Sequence, residues 1–467
     1  MAQSIAKRFN IGELLMFAFP SIIMMMFMSL YTIVDGFFVS RFVGTDALSA
    51  VNITYPMSSI VVAVGVMFAT GGSAVVATQI GQGKEKEARK NFSLIVLTAF
   101  VSSVIISILA IMFLDPLVRL LGASGDLVEP SKNYLRILML FAPMSVLQML
   151  FQNFFVIAGR PGLGLGLTVG AGIFNMVFDY VFIVPMAMGI EGAAYATVLG
   201  YCIPSIVGAV FFLANRKGLH FSMPRFSWRV IGRSCFNGSS EMVTNLSGSV
   251  TTLLFNILMM RMVGSDGVAA ITIVLYSQFL MTSLFLGFSI GVAPIISYHH
   301  GAGDDAYLRR LYRICIGFVL VTSILVFVFS YFISGTIVQL FTPKTSAVYG
   351  LAVHGFKLFS IAFLFAGTNI FASALYTALS DGKTSALISF ARTFLFTVIG
   401  ILGLSALFGL DGLWLAIPFA ELVTVGFVLL IVHYQRRKRT KSKAKAKAKG
   451  FKQGPETIIP SESTALR

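Results

Sequence analysis

Charge is scarce in this chain. Asp, Glu, Lys and Arg make up only 12% of its 467 residues, while 57% are hydrophobic. A soluble domain carries about 25% charged residues, and half that amount cannot coat a compact body. A soluble globule is excluded, and the missing water-facing surface must face lipid. Cysteine is scarcer still, with Cys202, Cys235 and Cys315 each in or beside an apolar run. An odd, scattered set makes no disulfide framework and has no metal-ligand spacing, so the three read as small packing residues. GxxxxGK[ST], HExxH and a Ser-His-Asp pattern are missing too, which argues against ATP-driven pumping and hydrolysis by this chain alone. With no nucleophile–base set in view, the reading is a protein that is not an enzyme and needs no cofactor.

What the chain has is a succession of apolar runs. A helix needs about 20 mostly apolar residues to cross a bilayer. That ruler gives segments near 14–38, 51–80, 92–114, 132–158, 162–185, 191–214, 234–261, 268–298, 311–334, 349–379, 384–406 and 411–434. The expected fold is an all-α polytopic membrane protein with twelve transmembrane helices. Lys7 and Arg8 precede the first run, which is too long for a signal-peptide core and lacks a small-residue cleavage site. Along the zigzag, 28 Lys and Arg fall on one side, Arg392 among them, and 6 on the other, with Lys357 inside a span. Cytoplasmic loops carry the positive excess, so both termini are placed in the cytoplasm. The formal net charge of +16 owes much to the tail, where 11 of the 35 basic residues follow Gln435. A tail over 435–467 rich in Lys, Ala and Ser is expected to be disordered and to touch anionic headgroups rather than nucleic acid.

The sequence repeats itself at an offset of 220. Arg41, Val43, Gly44 and Asp46 fall on Arg261, Val263, Gly264 and Asp266; Gly81 and Gly83 fall on Gly301 and Gly303; Gly189 and Gly192 fall on Gly409 and Gly412. The repeat holds six helices, an even number, so each copy starts and ends on the same side. Two lobes related by a pseudo-two-fold axis along the membrane normal follow, with a cavity at their interface. The expected divisions are an N-lobe over 1–214, a basic cytoplasmic linker over 215–233, a C-lobe over 234–434 and the tail. Two bundles rocking about a shared seam open a cavity to one side at a time, which is the physical basis of transport. In the fifth span, Gly162, Gly166 and Gly170 read as a small-residue packing face. His299 and His300, at the end of the eighth span, read as solvated.

Ionisable residues at bilayer depth cost several kcal/mol and mark candidate sites. Asp35 lies near the outer end of the first span, and Asp179 near that of the fifth, with Asn175 one turn deeper on the same face. Thr197 lies at a matching depth in the sixth. At 1.5 Å per residue, Asp179 and Thr197 sit roughly 9 Å below the outer surface. Such a group holds a proton between carboxylates or coordinates a small monovalent cation such as sodium. The alternative is an interfacial Asp35 with Asp179 merely bonding its neighbours. In the second copy, Ile399, Leu395 and Ile417 replace Asp179, Asn175 and Thr197, so the chemistry is asymmetric. Glu241, Glu421 and Lys357 form a second acidic or substrate-contacting set, and Glu421 and Lys357, at a similar depth, read equally as a structural ion pair or as substrate contacts.

Pro20, then Tyr31, Asp35 and Val39, then Gly44, Ala47 and Ala50, resemble the first spans of the multidrug and toxic compound extrusion (MATE) family. So do Asn175 and Asp179 followed by Gly189-Ile-Glu-Gly192 and Thr197. The resemblance covers roughly residues 10–435 and is of prokaryotic type. It implies an antiporter of the cell membrane that expels cationic amphipathic compounds, antibiotics among them, in exchange for H⁺ or Na⁺. It also implies that Asp35, Asn175, Asp179 and Thr197 form the cation-coupling site. The segment Asn237 to Glu241 resembles a bacterial subgroup, making Glu241 a second acidic site; the C-lobe acids of sodium-driven members lie elsewhere, and no sodium site is carried over there. Expected partners are membrane lipids and cationic small molecules, with the chain a monomer. The rival readings are a lipid-linked precursor flippase, which wants a cationic cavity, and an ion channel, which needs no paired lobes.

Overall fold

The computed structural model describes the backbone of residues 3–38, 42–43, 45–216 and 218–452. The side chains described exclude those of 3–4, 35–38, 45–49, 436 and 438–452. Among the described residues, twelve spans follow one another. They are α1 (Ile11–Phe38), α2 (Thr45–Gly81), α3 (Glu85–Met112), α4 (Val128–Leu140 continued by Ala142–Ile157), α5 (Pro161–Ile183) and α6 (Gly189–Ala214). After an irregular stretch come α7 (Trp228–Met262), α8 (Ser265–Gly301), α9 (Asp305–Gln339), α10 (Ala347–Ser360 continued by Phe363–Ala378), α11 (Gly382–Trp414) and α12 (Ala416–Lys452). Ten are long and apolar enough to cross a membrane singly, and α4 and α10 do so as bent pairs. Helices answer the demand that backbone groups in hydrocarbon bond within their own segment.

The duplication is visible in the backbone. α4 and α10 bend by 49° and 54°, at breaks that contain Phe141 and Ile361, which are 220 residues apart. Gly83 and Gly303 take φ of 75° and 72°, and Gly189 and Gly409 take 59° and 60°. These left-handed turns tolerate glycine and strain other residues, so the repeat preserves them. Neighbour relations repeat too: α1 packs on α5 as α7 does on α11, and α5 on α6 as α11 does on α12. Between the lobes, α2 packs on α7 and α1 on α8, each the image of the other, while α2 and α8 meet on the axis.

The seam is closed at the end of the bundle where α1 begins and α12 leaves. A methyl group added at Gly81 would overlap the carbonyl oxygen of Tyr298, and one at Gly301 that of Thr78, again partners at the 220 offset. Gly71 meets the Ser234 carbonyl, Gly238 meets that of Met67, and Gly287 and Gly291 lie against Ile22 and Ala18. The apolar core runs across this end, joining Phe92, Phe151 and Phe154 of one lobe to Phe288, Ile295 and Leu311 of the other. At the opposite end the C-lobe keeps its own cluster around Phe255, Phe359 and Trp414.

The same end carries a strap from the N-terminal segment. Ile5 and Phe9 are buried. The Phe9 amide donates to the Tyr307 hydroxyl at 2.8 Å, and Arg8 donates twice to Asp304, at 2.7 and 3.1 Å. Asp304 also caps α9, accepting from the Tyr307 amide. His299 is buried against Tyr307 at 4.4 Å between ring centroids, so of the two histidines expected in solvent only His300 is exposed.

Three further expectations change. Gly162, Gly166 and Gly170 face open space, while on the other side of α5 Gly172 makes a close contact and Gly164 lies against Phe155, so the expected packing face is not the one used. The tail expected to be disordered from 435 continues as helix to Lys452, because Lys and Ala are strong helix formers extending an existing helix. And α7 begins at Trp228, within the stretch read as linker.

Gly81→Ala is expected to lower unfolding stability in detergent by about 1–3 kcal/mol, the cost of overpacking, while Gly162→Ala leaves it unchanged. Equal melting of the two variants would contradict the seam. The Asp304 carboxyl is held below its ordinary value by the Tyr307 amide and then by Arg8. Its contribution is therefore complete above the ordinary carboxylate range and is lost as the pH falls through the lowered value. The protection of the Phe9 amide against hydrogen exchange should persist to that lower pH, and Asp304→Asn should weaken it at neutral pH.

Candidate functional site

In the N-lobe, α5 carries a polar stripe inside an apolar helix: Thr168, Asn175 and Asp179, with Gly172 between them. Spacings of four, three and four residues keep it on one face. Asp179 is 0% exposed and Asn175 3%. Gly172 and Gly200 let neighbours approach, and the Phe27 ring of α1 reaches to 2.5 Å from where a Cβ at Gly172 would stand. Among these helices lies a cavity of about 20 Å³, lined from α1 by Tyr31, from α4 by Gln148, from α5 by Thr168 and Asn175, and from α6 by Thr197 and Tyr201. One water-sized guest needs about 10–15 Å³ by the same measure, so the cavity holds a single small guest and no drug-sized one. The Asn175 side-chain oxygen is buried and accepts no hydrogen bond from the described residues. An orphaned acceptor beside hydroxyl oxygens, one turn from a buried carboxylate, is what a small hard cation or a hydronium ion takes.

The structure places Asn175 and Thr197 on one cavity, with Asp179 buried one turn along α5 from Asn175. Asp35 lies on α1, but its side chain is outside the described residues. Among those residues no group of three His, Cys, Asp or Glu side chains is placed to hold a metal.

The C-lobe differs. Arg392 sits in a π-helical turn, Ala391–Leu395, within α11. Its Nη2 lies 2.7 Å from Glu421 Oε1, and its Nε donates at 2.8 and 3.0 Å to Oε1 and Oε2. The two side chains are 13% and 5% exposed. Asn369 on α10 donates to Glu421 Oε2 at 2.7 Å and to its backbone carbonyl at 2.8 Å. Lys357 is exposed and stands over the Tyr331 ring at 5.7 Å, so of the two readings of Lys357 and Glu421 the structural pair is not formed, and Glu421 pairs with Arg392 instead. Lys357 lies on the outer side of α10, whereas the Arg392 guanidinium is buried in mid-span and needs a partner. Glu241 is half-buried on α7.

A family model described as MatE matches residues 20–181 and 242–402. The chain belongs to the MatE family. Multidrug export protein MepA of Staphylococcus haemolyticus is 23% identical over 427 residues, covering 90% of this chain and 93% of its own. MepA of Staphylococcus aureus strain MRSA252 is 20% identical over 423 residues, with the same coverage. Among solved structures, a MATE protein in complex with MaL6 superposes with a TM-score of 0.88 at 22% identity, over 94% of this chain and 99% of that one. A multidrug resistance MATE transporter in an outward-facing conformation gives 0.87 at 22%, over 94% and 98%. The twelve-helix, two-lobed architecture of this MatE protein is that of its structural neighbours.

Sequence reasoning misses Gln148, Thr168 and Tyr201 in the N-lobe and Asn369 and Arg392 in the C-lobe. A signal exists for Thr168, since it continues the Asn175–Asp179 stripe by helical spacing. Arg392 reads as a loop cation by sequence position, although it lies ten residues inside α11. Glu421→Gln leaves Arg392 buried beside a neutral group and is expected to cost about 3–5 kcal/mol of stability. Lys357→Ala should change it by less than about 0.5 kcal/mol. Thermal unfolding of the two in detergent separates them.

Proposed function

We propose that this multi-pass membrane protein is a secondary active multidrug efflux antiporter. It exports cationic amphipathic compounds in exchange for H⁺ or Na⁺ by alternating access between its lobes. It lies in the cell membrane of a prokaryote, with both termini in the cytoplasm. The observation that carries the reading is the N-lobe cavity: large enough for one small ion and furnished with the Thr197 hydroxyl of α6 and the buried Asn175 side-chain oxygen, one turn from the buried Asp179. Asp35 completes the site on this reading. The name of the MepA relatives, multidrug export proteins, supports the substrate class. The closed seam at the termini end supports a state sealed toward the cytoplasm, with the other end, where the apolar cores are separate, as the exit. Protonation or cation binding in the cavity and drug binding at the seam favour different states, and that difference is what couples the two flows.

The test is efflux of a fluorescent cation from membrane vesicles, with pH and sodium gradients imposed separately. Asp35→Asn and Asp179→Asn are each expected to abolish the ion-driven component while the proteins purify folded. Thr197→Val, which keeps the volume and removes an oxygen, should weaken ion affinity about tenfold, the value of one hydrogen bond to a charge. Wild-type efflux by both Asn variants would remove the cavity from the mechanism.

A further inference from the structure

Superposing the two halves in sequence puts Gly172 of the N-lobe cavity on Arg392 and Tyr201 on Glu421. Both N-lobe residues line the ion-sized cavity. Both C-lobe residues belong to the buried ion pair, on the helices α11 and α12 that correspond to α5 and α6. The ligand oxygens have gone as well, since Asn175 and Thr197 correspond to Leu395 and Ile417. The wide π-helical turn at Ala391–Leu395 gives a long side chain room in the middle of a span.

We infer that the Arg392 guanidinium is a tethered cation that fills, in the C-lobe, the place symmetric to the N-lobe ion cavity. The inference rests on the cavity being the ion site. In the N-lobe the cation is exchangeable; in the C-lobe it is covalently part of the chain, held by Glu421 and Asn369. Of the two C-lobe carboxylates, Glu421 is then neutralised by the forked hydrogen bonds. Glu241, half-buried and, among the described residues, without a salt bridge to Arg392, is the acid left for a cationic substrate. The C-lobe accordingly takes drug and no coupling ion.

Chemical rescue in proteoliposomes tests this. Arg392→Gly restores the residue found at the symmetric position and is expected to lower efflux about tenfold or more, because it strands a buried carboxylate. Millimolar guanidinium should restore most of the rate and raise the melting temperature of the variant but not of the wild type. Urea, of the same shape but neutral, should do neither, and Arg392→Lys should retain part of the activity. Wild-type efflux by Arg392→Gly, equal rescue by urea, or a loss that neither guanidinium nor Lys relieves would overturn the inference. Because Arg392→Gly is at risk of misfolding, Arg392→Gln with Glu421→Gln provides a second arm. Removing both charges together should give a protein that melts above either single variant, and a double variant no more stable than Arg392→Gln alone also overturns it. Asp179→Asn keeps the two readings apart: its full efflux sinks the ion cavity, whereas an unrescued Arg392→Gly beside an inactive Asp179→Asn sinks only the tethered cation.

Discussion

An ion buried in a helical bundle surrounded by lipid has nowhere to find water, and this governs every acidic residue in the spans. Leaving one such charge without a partner costs several kcal/mol. The C-lobe meets the constraint from within: Glu421 receives a forked guanidinium and an amide, both from neighbouring helices. The N-lobe buries Asp179 completely and sets a small cavity and an orphaned amide oxygen one turn away. On the antiport proposal, the difference between the lobes is the mechanism. An ion site filled by a visitor reports the presence of that visitor, and a carboxylate neutralised by the protein's own guanidinium does not.

For such a report to matter, the lobes must be able to part. Their contact at the termini end is made where glycine lets backbone meet backbone, at Gly81 with Tyr298, at Gly301 with Thr78 and at Gly238 with Met67. Close-packed surfaces of this kind have discrete arrangements rather than a continuous range. The strap through Arg8 and Phe9 adds two polar ties between the N-terminal segment and the α8–α9 turn. The Arg8–Asp304 pair is at the protein surface, where an ion pair is worth little, and the buried Phe9–Tyr307 bond is a single neutral hydrogen bond. The seal is therefore chiefly apolar and steric, with the strap as its outer fastening.

Much of this architecture is legible in the amino-acid sequence. Hydropathy marks the twelve spans because a hydrocarbon solvent leaves the chain few choices, and the 220-residue offset predicts two lobes because positive-φ glycines such as Gly83 and Gly303 cannot drift freely. The stripe of Asn175 and Asp179 stands out for the same reason, polar groups being rare at that depth. What stays hidden depends on which helices become neighbours. Lys357 and Arg392 are both basic residues within or beside apolar runs, and only the packing of α10, α11 and α12 decides that Arg392 meets Glu421 while Lys357 turns outward to Tyr331. The packing face of α5 is ambiguous in sequence because spacing alone offers Gly162, Gly166 and Gly170 as readily as Gly164 and Gly172.

Duplication also explains why the two kinds of position have fared so differently. A glycine that meets the other lobe's backbone, or that takes a positive φ, tolerates no side chain, so both copies stay alike: Gly81 with Gly301, Gly189 with Gly409. A residue in the interior of one lobe faces only that lobe, and its copy is free to change. Gly172 and Arg392 are such a pair, as are Tyr201 and Glu421. An ancestral symmetric dimer with identical cavities would bind its ion twice and gain no preference for one lobe over the other. On the tethered-cation proposal, replacing one cavity by a residue's own cation removes that redundancy and leaves one lobe free to specialise in the substrate, at the cost of an ion pair that must remain intact.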